Sequence, residues 1–469
     1  MSDMFSSQQL LIEQAAFYRV SGRVCEVTGL TVVAEGLPLP VGALCRIDIA
    51  QGRSLEAQVV GIRGHQAVLM TLREPIGIAV GDKVVSTAGL QHVPVGRQML
   101  GTILDGLGRP IGGVTKFAVE AHYPVFRDPP PALSREPILE TLSTGIRAID
   151  AMHTIGCGQR LGIFAGTGVG KSVLLGMITR FTSADVAVVA LVGERGREVG
   201  DFIRRDLSEV GMSRCVLVVS TSDQSPVLRV RAAFVATAVA EYFRDLGKNV
   251  LLMMDSTTRM AMAQRQIGLS AGEPPTTKGY PPSVFSLLPK LLERSGRTER
   301  GSITGLYTVL VEGDDITEPV SDAVRGILDG HVWLSRDLAN RGHYPAVDVL
   351  ESISRVMPDI VDDEHLSATA TIRRVLAVWN DIEDLVNIGA YAAGTNVEFD
   401  VAVAMKPAID DYLRQAIDER AVFCDVREGL VALAAAIEQR RQTLGPPASA
   451  GVDPRRLKPS AQGSFAVTS

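Results

Sequence analysis

Residues 165–172 have residue types and a spacing suited to phosphate binding, and they read Ala165-Gly166-Thr167-Gly168-Val169-Gly170-Lys171-Ser172. The glycines would let backbone N–H groups turn inward toward phosphate oxygens. Lys171 can reach the β- and γ-phosphates of a nucleotide, and the Ser172 hydroxyl can ligate Mg²⁺. The general pattern, G-x-x-x-x-G-K-[ST], has glycine where this chain has Ala165. We therefore expect residues 166–172 to bind a nucleotide, with an ordinary strand–helix turn as the alternative.

The segments that flank this loop must position it. An apolar run, Leu161 to Phe164, precedes the loop, and a helical pattern, Val173 to Ile178, follows it. Strand, glycine loop and helix in that order are the context that phosphate binding requires. The helix N-terminus would add the positive end of its dipole.

Asp255 ends the apolar run Val250 to Met254. Ligands gather at the carboxyl ends of strands in an open parallel sheet. Asp255 is therefore expected to hold Mg²⁺ beside Ser172, directly or through water. The alternative is a helix-capping aspartate, because Ser256 and Thr257 follow it.

Glu194 and Arg195 follow the next apolar run, Val186 to Val192. A carboxylate at a strand end can orient and deprotonate an attacking water, so Glu194 is a candidate general base. Arg195 can tune that carboxylate or touch phosphate. A solvated, charged turn is the alternative for both residues.

Two loops and one distant arginine complete the candidates. Residues 268–287 are rich in proline and glycine, which predicts a semi-rigid functional loop, and residues 313–319 form a second, acidic loop. Arg355 lies far along the chain, where an arginine is usually a surface ion pair. It would serve a neighbour's site only if subunits form a ring.

Three kinds of sequence pattern predict three domains, which are flanked by two terminal segments. Short β-like runs from 18 to about 91 indicate a small closed barrel. An oligonucleotide platform would show interleaved aromatic and basic residues, which are nearly absent, so a structural barrel that helps to assemble a ring is favoured. Apolar strands then alternate with helices, which indicates an α/β core with a parallel sheet covered on both faces. The expected bounds are barrel 18–95, α/β core 96–380, helical domain 381–441, a short amphipathic helix over 1–17 and a disordered tail over 442–469.

Composition excludes some classes of function. The net charge of the 469-residue chain is -6, which argues against binding nucleic acid through bulk charge. The five cysteines are scattered singly, without metal-ligand spacing, which fits a reducing, cytoplasmic compartment. No signal stretch or bilayer-length apolar run occurs, so membrane association is expected to be peripheral or through a partner.

Longer motifs resemble those of one family over about residues 18–440. They read GIFAGTGVGKS, LVGERGREVGDFI, LLMMDSTTRMAMAQR, GEPPTTKGYPPSVF, SITGLYTVLVEGDD, AVRGILDGH and YPAVDVLESISRV. The chain is similar to the ring-forming ATPases related to the subunits of F-type ATP synthase, and within them to the ATPases of type III secretion and flagellar protein export. Ala165 is usual in this subgroup.

The resemblance implies a β-barrel, a RecA-like P-loop core and a helical domain, assembled as a homo-hexamer. It implies Mg²⁺-dependent ATP hydrolysis that energises export of flagellar proteins. The residue roles it implies are Lys171 and Ser172 on phosphates and Mg²⁺, Asp255 in the metal site, Glu194 activating water, Arg195 and Arg259 as accessory site residues, Arg355 inserted by a neighbouring subunit, and Tyr344 near the adenine.

The resemblance also implies partners. Residues 272–283 and 312–315 would face the central pore and contact a stalk protein, and the N-terminal helix would bind a regulator. Export-gate and chaperone–substrate complexes would dock on a ring held peripherally at the inner-membrane export apparatus. The alternatives are an injectisome ATPase, a rotary ATP synthase subunit, an RNA-dependent helicase and an inactive structural ring subunit.

Overall fold

The computed structural model of this chain describes residues 20–87, 92–114, 116–311 and 318–444. The helix predicted over 1–17, the loop residues 312–315 and the tail from 445 onward lie outside the described residues. None of the helices within the described ranges combines the length and apolarity needed to cross a bilayer.

A closed six-stranded barrel forms the first domain. Its strands pair antiparallel in the order β1-β2-β5-β4-β3-β6. Alternate side chains such as Val32, Ile47 and Leu69 fill the interior and are fully buried, as the two-residue period of a strand requires. The bounds are β1 Ser21–Thr28, β2 Thr31–Glu35, β3 Leu44–Asp48, β4 Ser54–Arg63, β5 Gln66–Thr71 and β6 Lys83–Ser86.

Short strands connect the barrel to the core. The first pair, β7 (His92–Val95) and β10 (Ala121–Pro124), forms a separate antiparallel ladder. Two further strands, β8 (Thr102–Leu104) and β9 (Pro110–Gly113), extend the edge of the core sheet. A last pair joins β11 (Thr141–Leu142) to β12 (Ile155–Gly156).

The core is a ten-stranded sheet with helices on both faces. Its order is β20-β19-β13-β18-β16-β14-β15-β8-β9, with β17 paired to β18. The strands from β19 to β8 are mutually parallel. The central strands β14, β15 and β16 read as near-continuous apolar runs because both faces of the sheet are covered. The bounds are β13 Arg160–Ala165, β14 Val186–Val192, β15 Cys215–Ser220, β16 Asn249–Asp255, β17 Gly296–Arg297, β18 Ser302–Leu310, β19 Gly330–Leu334 and β20 Val347–Ser354.

Ten α-helices lie in the described part of the core, between residues 147 and 360. A single π-helical turn, Phe202–Leu207, joins the helix that ends at Asp201 to the helix that begins at Ser208. The bounds are α1 Arg147–Met152, α2 Lys171–Phe181, α3 Gly196–Asp201, α4 Ser208–Met212, α5 Pro226–Asp245, α6 Thr257–Ala271, α7 Pro282–Leu292, α8 Pro319–Ile327, α9 Arg336–Asn340 and α10 Met357–Ile360.

Three long helices, α11 (Asp363–Asn387), α12 (Val397–Leu413) and α13 (Phe423–Leu444), pack together as the C-terminal bundle. The first of them crosses residue 381, where the sequence predicted the start of the helical domain. Its buried positions Ala368, Ile372, Val375 and Ile382 continue at helical spacing. The bundle therefore begins near Asp362, whose carboxylate caps the first helix.

Candidate active site

The predicted phosphate loop joins β13 to α2. Gly168 and Gly170 have φ values of +81° and +87°, a region that favours glycine. A Cβ on Gly170 would also stand 3.3 Å from Cε1 of Tyr344. The helix begins directly at Lys171, and Ser172, its second residue, is exposed. The loop thus presents its backbone at a helix N-terminus, where anions are stabilised.

Strand register brings the predicted acids to the same edge of the sheet. Ala165 pairs with Leu310, and Asp255 pairs with Leu191, two residues before the turn that carries Glu194. All four strands run in parallel, so their carboxyl ends meet beside the loop.

Lys171 is the cation at the centre of this edge. Its ammonium group forms an ion pair with the Asp255 carboxylate and lies 3.9 Å from Oε1 of Glu194. Only 12% of the lysine side chain is exposed. Lys171 thus contacts both of the acids that the sequence placed in the site.

Thr308 orients Asp255 from β18. Its fully buried hydroxyl lies 2.7 Å from Oδ1 of Asp255, to which it donates, and 3.2 Å from the carbonyl oxygen of Met254. Sequence reasoning missed Thr308. The available signal was a hydroxyl near the end of an otherwise apolar buried strand.

Glu194 is buried among charges of both signs. Arg259 Nε lies 3.1 Å from Glu194 Oε1, and Arg259 Nη1 donates to the Gly193 carbonyl at 2.7 Å. Burial, reinforced by the charge of Asp255, raises the pKa of Glu194 to about 7, while Lys171 and Arg259 act in the opposite direction. The Glu194 carboxyl also hydrogen bonds with Glu198, whose pKa is lowered by that bond. This places a titratable carboxyl in the range useful to a general base.

Arg195 has a different position from its neighbour Glu194. Its side chain is 76% exposed and pairs with Glu198 across 3.4 Å. The structure thus places Arg195 at the surface beside Glu198 and brings Arg259 to Glu194.

Tyr344 lies next to the phosphate loop, at the mouth of a cavity of about 330 Å³. The side-chain walls are mostly aliphatic, from Val173, Leu174 and Met177 of α2 and Leu334 of β19. The turn after α12 closes the cavity with residues 415–417. Sequence reasoning missed Gln415, which belongs to no recognised motif.

Gln415 ties this wall to the core. Its amide nitrogen donates to the carbonyls of Gly145 and Glu419 at 2.8 and 2.7 Å, and its oxygen accepts from the Arg147 backbone N–H at 2.7 Å. The Gln415 backbone N–H donates to the Tyr344 carbonyl at 3.0 Å. The helical domain therefore forms part of the candidate base pocket.

Arg355 lies at the opposite end of the sheet from the phosphate loop. It follows β20, which runs antiparallel to β19, and its backbone N–H donates to Asp329, whose own N–H donates to Arg160. Arg160 begins β13 and the loop follows its end, and the six residues of β13 span about 17 Å. The exposed Arg355 is thus remote from the phosphate loop of its own chain.

The groups at the sheet edge fit a magnesium nucleotide. A helix N-terminus and a lysine suit phosphate oxygens, and a hydroxyl with a carboxylate supplies the hard oxygen ligands that Mg²⁺ prefers. Ser172 and Asp255 are the residues that can hold the metal.

Family models match each part of the chain. Residues 24–88 match the ATP synthase alpha/beta family beta-barrel domain, and 145–354 match that family's nucleotide-binding domain. Residues 361–432 match the T3SS EscN ATPase C-terminal domain. The flagellum-specific ATP synthase of Bacillus subtilis is 50% identical over 417 residues, which cover 88% of this chain and 94% of the relative. The chain belongs to the family of flagellar and type III secretion ATPases.

Other members of the type III secretion ATPase family agree in sequence and in fold. The type 3 secretion system ATPase of Xanthomonas euvesicatoria is 46% identical over 88% of this chain and 93% of its own. The solved structure of the assembled ATPase EscN from enteropathogenic E. coli aligns with a TM-score of 0.83 at 42% identity. That alignment covers 88% of this chain and 100% of the solved EscN chain. The predicted family, fold class and P-loop ATPase activity are confirmed.

Proposed function

We propose that this type III secretion ATPase hydrolyses Mg²⁺–ATP as a ring of six identical subunits and energises the export of flagellar proteins. The observation that carries the proposal is the contact of Lys171 with Asp255 and Glu194 at the carboxyl edge of the sheet, beside the phosphate loop. A lysine, a metal-ligating acid and a water-activating acid are the parts that phosphoryl transfer needs.

Lys171 changes partner in the proposed cycle. Before nucleotide binds, its ammonium is neutralised by Asp255. When the β- and γ-phosphates occupy the loop, the lysine moves to their oxygens and leaves the carboxylate available to the metal. Ser172 and Asp255 would hold Mg²⁺, which would supply positive charge to the transferring phosphoryl group.

Glu194 is the proposed general base. In its carboxylate form it takes a proton from the attacking water while Arg259, which is itself held by its hydrogen bond to the Gly193 carbonyl, fixes the orientation of the carboxylate. Arg195 is proposed as an accessory residue that acts through Glu198, which it pairs at the surface.

Arg355 is proposed to act on the site of the adjacent subunit. It is exposed, and it lies a strand length away from its own phosphate loop. A guanidinium in that position can reach phosphate only across a subunit boundary, where it stabilises transition-state charge. Tyr344 is proposed to pack against the adenine.

The proposed partners follow the relatives. EscN has been solved in complex with its central stalk EscO, and we propose that residues 272–283 and 312–315 meet a comparable stalk protein in the pore. A regulator on residues 1–17, export-gate and chaperone–substrate complexes, and peripheral location at the cytoplasmic face of the inner membrane complete the proposal. The barrel is proposed to span 18–95, and the core is proposed to run from 96 to about 361, where the first helix of the bundle begins.

An injectisome is the second candidate system. The SPI-2 type 3 secretion system ATPase of Salmonella typhimurium is 49% identical over 403 residues, close to the flagellar relatives. We favour the flagellar system because the sequence motifs resemble those of flagellar export ATPases. Several flagellum-specific relatives reach 46–50% identity, a range that overlaps the 46–49% of the type 3 secretion relatives, so identity does not separate the two systems.

One experiment separates these alternatives. The purified chain should hydrolyse ATP only with Mg²⁺ and should sediment as a larger species as its concentration rises, whereas Lys171→Ala should be inactive. Expression of the wild-type chain, but not of Lys171→Ala, should restore motility to a flagellated host that lacks its own export ATPase. Activity retained in Lys171→Ala would refute the assignment of the site, and active protein that restores injectisome secretion instead of motility would favour the second system.

A further inference from the structure

A second cavity, of about 340 Å³, lies between the barrel and the core. None of its lining residues lines the candidate base pocket beside Tyr344. Barrel residues around β4 form one wall, and α5, α6 and α7 form the others. The side-chain lining is mainly apolar. Two of its residues, Val41 and Phe126, are exposed at 59% and 42% and mark the side that solvent reaches.

Arg231, on α5, is the charged residue that lines this cavity. Its side chain is 1% exposed, and none of its three guanidinium nitrogens has a hydrogen-bond partner among the described residues. The Phe126 ring, with its centroid 5.8 Å away, is its aromatic contact. Asp105 attracts it and Arg109 repels it, but neither forms an ion pair with it within the described parts of the chain.

Arg294 shows how the same core treats another buried arginine. Its guanidinium is fully buried and forms two hydrogen bonds with Glu241, at 2.9 and 2.8 Å, and a third with the Val125 carbonyl at 2.6 Å. Buried charges in proteins are normally paired in this way, because an unpaired one is expensive. Burial lowers the pKa of Arg231 to about 10, which leaves it a cation at neutral pH.

We propose that the cavity at Arg231 binds a small organic carboxylate with an apolar body. The planar guanidinium matches a carboxylate through paired hydrogen bonds. Each of the two lining glutamines gives one amide N–H to a partner within the protein, Gln58 to Gly42 and Gln264 to Ser283, and both are neutral, so the cation Arg231 is the principal anchor for an anion. The volume and the mostly apolar walls are those of a small-molecule site. Such a ligand would bridge the barrel to three helices of the core.

Octanoate and octanamide are the probes that test this site. They have the same length and differ in charge, and titration calorimetry and thermal unfolding of the nucleotide-free full chain would measure their binding. We expect saturable binding of octanoate at least about tenfold tighter than that of octanamide, because the charge-assisted hydrogen bonds are lost with the amide. A ligand that binds the native state raises the unfolding midpoint.

Arg231→Met should abolish the preference for octanoate. Arg229→Met is the matched control on the same helix, because Arg229 pairs with Gln266 at 2.8 Å and lines a different cavity, and it should bind octanoate as the wild type does. Arg231→Lys keeps the charge without the planar group and should bind octanoate with intermediate affinity. If Arg231→Met does not fold, the octanoate–octanamide contrast in the wild type and in Arg231→Lys decides.

Three outcomes would overturn the proposal. They are equal affinity for the two probes, octanoate binding unchanged in Arg231→Met, and no saturable octanoate binding up to about 10 mM. Loss of self-association in Arg231→Met without octanoate binding to the wild type would assign the cavity to a side chain from a second copy instead. None of these readouts depends on ATP hydrolysis, so failure here is distinct from failure of the proposed ATPase function.

Discussion

Glu194 should impose a pH dependence on turnover. Burial and the charge of Asp255 raise its pKa to about 7, and only the carboxylate can accept a proton from water. We expect kcat/KM, which reports groups of the free enzyme, to rise about tenfold per pH unit below pH 7 and to level off above it. Initial rates at Mg²⁺–ATP concentrations well below KM, between pH 5.5 and 8.5, would measure this.

Glu198 tunes that transition, because its hydrogen bond to Glu194 helps to raise the Glu194 pKa. Glu198→Gln should therefore move the inflection to lower pH, and Glu194→Gln should remove it along with most activity. An inflection that stays in place in Glu198→Gln would show that the titrating group is not Glu194.

Thr308 should affect turnover through its hydrogen bond to Asp255. Thr308→Val keeps the shape but removes the hydroxyl that donates to Oδ1, so the carboxylate loses its fixed orientation. We expect kcat/KM to fall by about 10–100-fold, the range for losing a group that orients a metal ligand, and the Mg²⁺ requirement to increase. Binding of a fluorescent nucleotide without Mg²⁺ should be unchanged, and Thr308→Ser should restore activity. Equal losses in the Val and Ser variants would indicate a packing defect.

Some site residues can be recognised from the sequence around them, and others only from contacts with distant parts of the chain. Lys171, Ser172 and Asp255 could be predicted because each stands at a fixed point of a strand–loop–helix unit. Thr308 and Gln415 could not, because the first acts across strand pairing and the second across a contact more than 260 residues apart in sequence. The sequence suggested that Arg195 contacts Glu194, but in the structure Arg259 does so and Arg195 lies at the surface. The sequence alone does not tell which of the two arginines points toward the carboxylate.

At the scale of elements, the base cavity predicts low selectivity among purines. Aliphatic side chains of α2 and β19 form much of its wall, and both amide hydrogens of Gln415 are already donated to backbone carbonyls. The Tyr344 hydroxyl can either donate or accept, so it does not distinguish adenine from guanine. We expect kcat/KM for GTP to lie within about tenfold of that for ATP, whereas sites that read a polar group discriminate by about 10⁴ or more.

Tyr344→Ala tests the stacking part of the same prediction. Loss of base–aromatic stacking, worth about 1–3 kcal/mol, should raise KM for ATP and GTP by similar factors. Discrimination against GTP by more than about a hundredfold would mean that the cavity reads the base edge after all.

The boundaries of helices and strands were predicted accurately where the local sequence pattern changes sharply. The short β-like runs predicted from 18 to about 91 correspond to the six barrel strands, which lie between Ser21 and Ser86. The start of α11 was missed because its first turn contacts both the core, at the Ala151 carbonyl, and α13, at Arg427, so no composition shift marks Asp363.

At the scale of the whole molecule, Arg355 tests the ring and the chemistry together. Arg355→Ala should bind ATP and assemble, yet hydrolyse it about 10³–10⁵-fold more slowly, as expected for a lost guanidinium at the transferring phosphoryl group. Mixing it with Lys171→Ala should recover activity, because a mixed boundary pairs an intact phosphate loop with an intact arginine. The measurement is ATPase rate against mixing ratio after subunit exchange. Mixtures that never exceed the sum of their parts, despite exchange, would place Arg355 outside the reaction.

Gln415 couples nucleotide binding to the position of the helical bundle. The turn that carries it closes the base cavity and is bonded to Tyr344, so a tilt of α12 changes the space available to the base. Binding free energies at two linked positions are reciprocal. Any partner that holds the bundle in one tilt must therefore change nucleotide affinity by the same factor by which nucleotide changes the partner's affinity. An export complex that binds this bundle would therefore have different affinities for the nucleotide-bound and the nucleotide-free subunit.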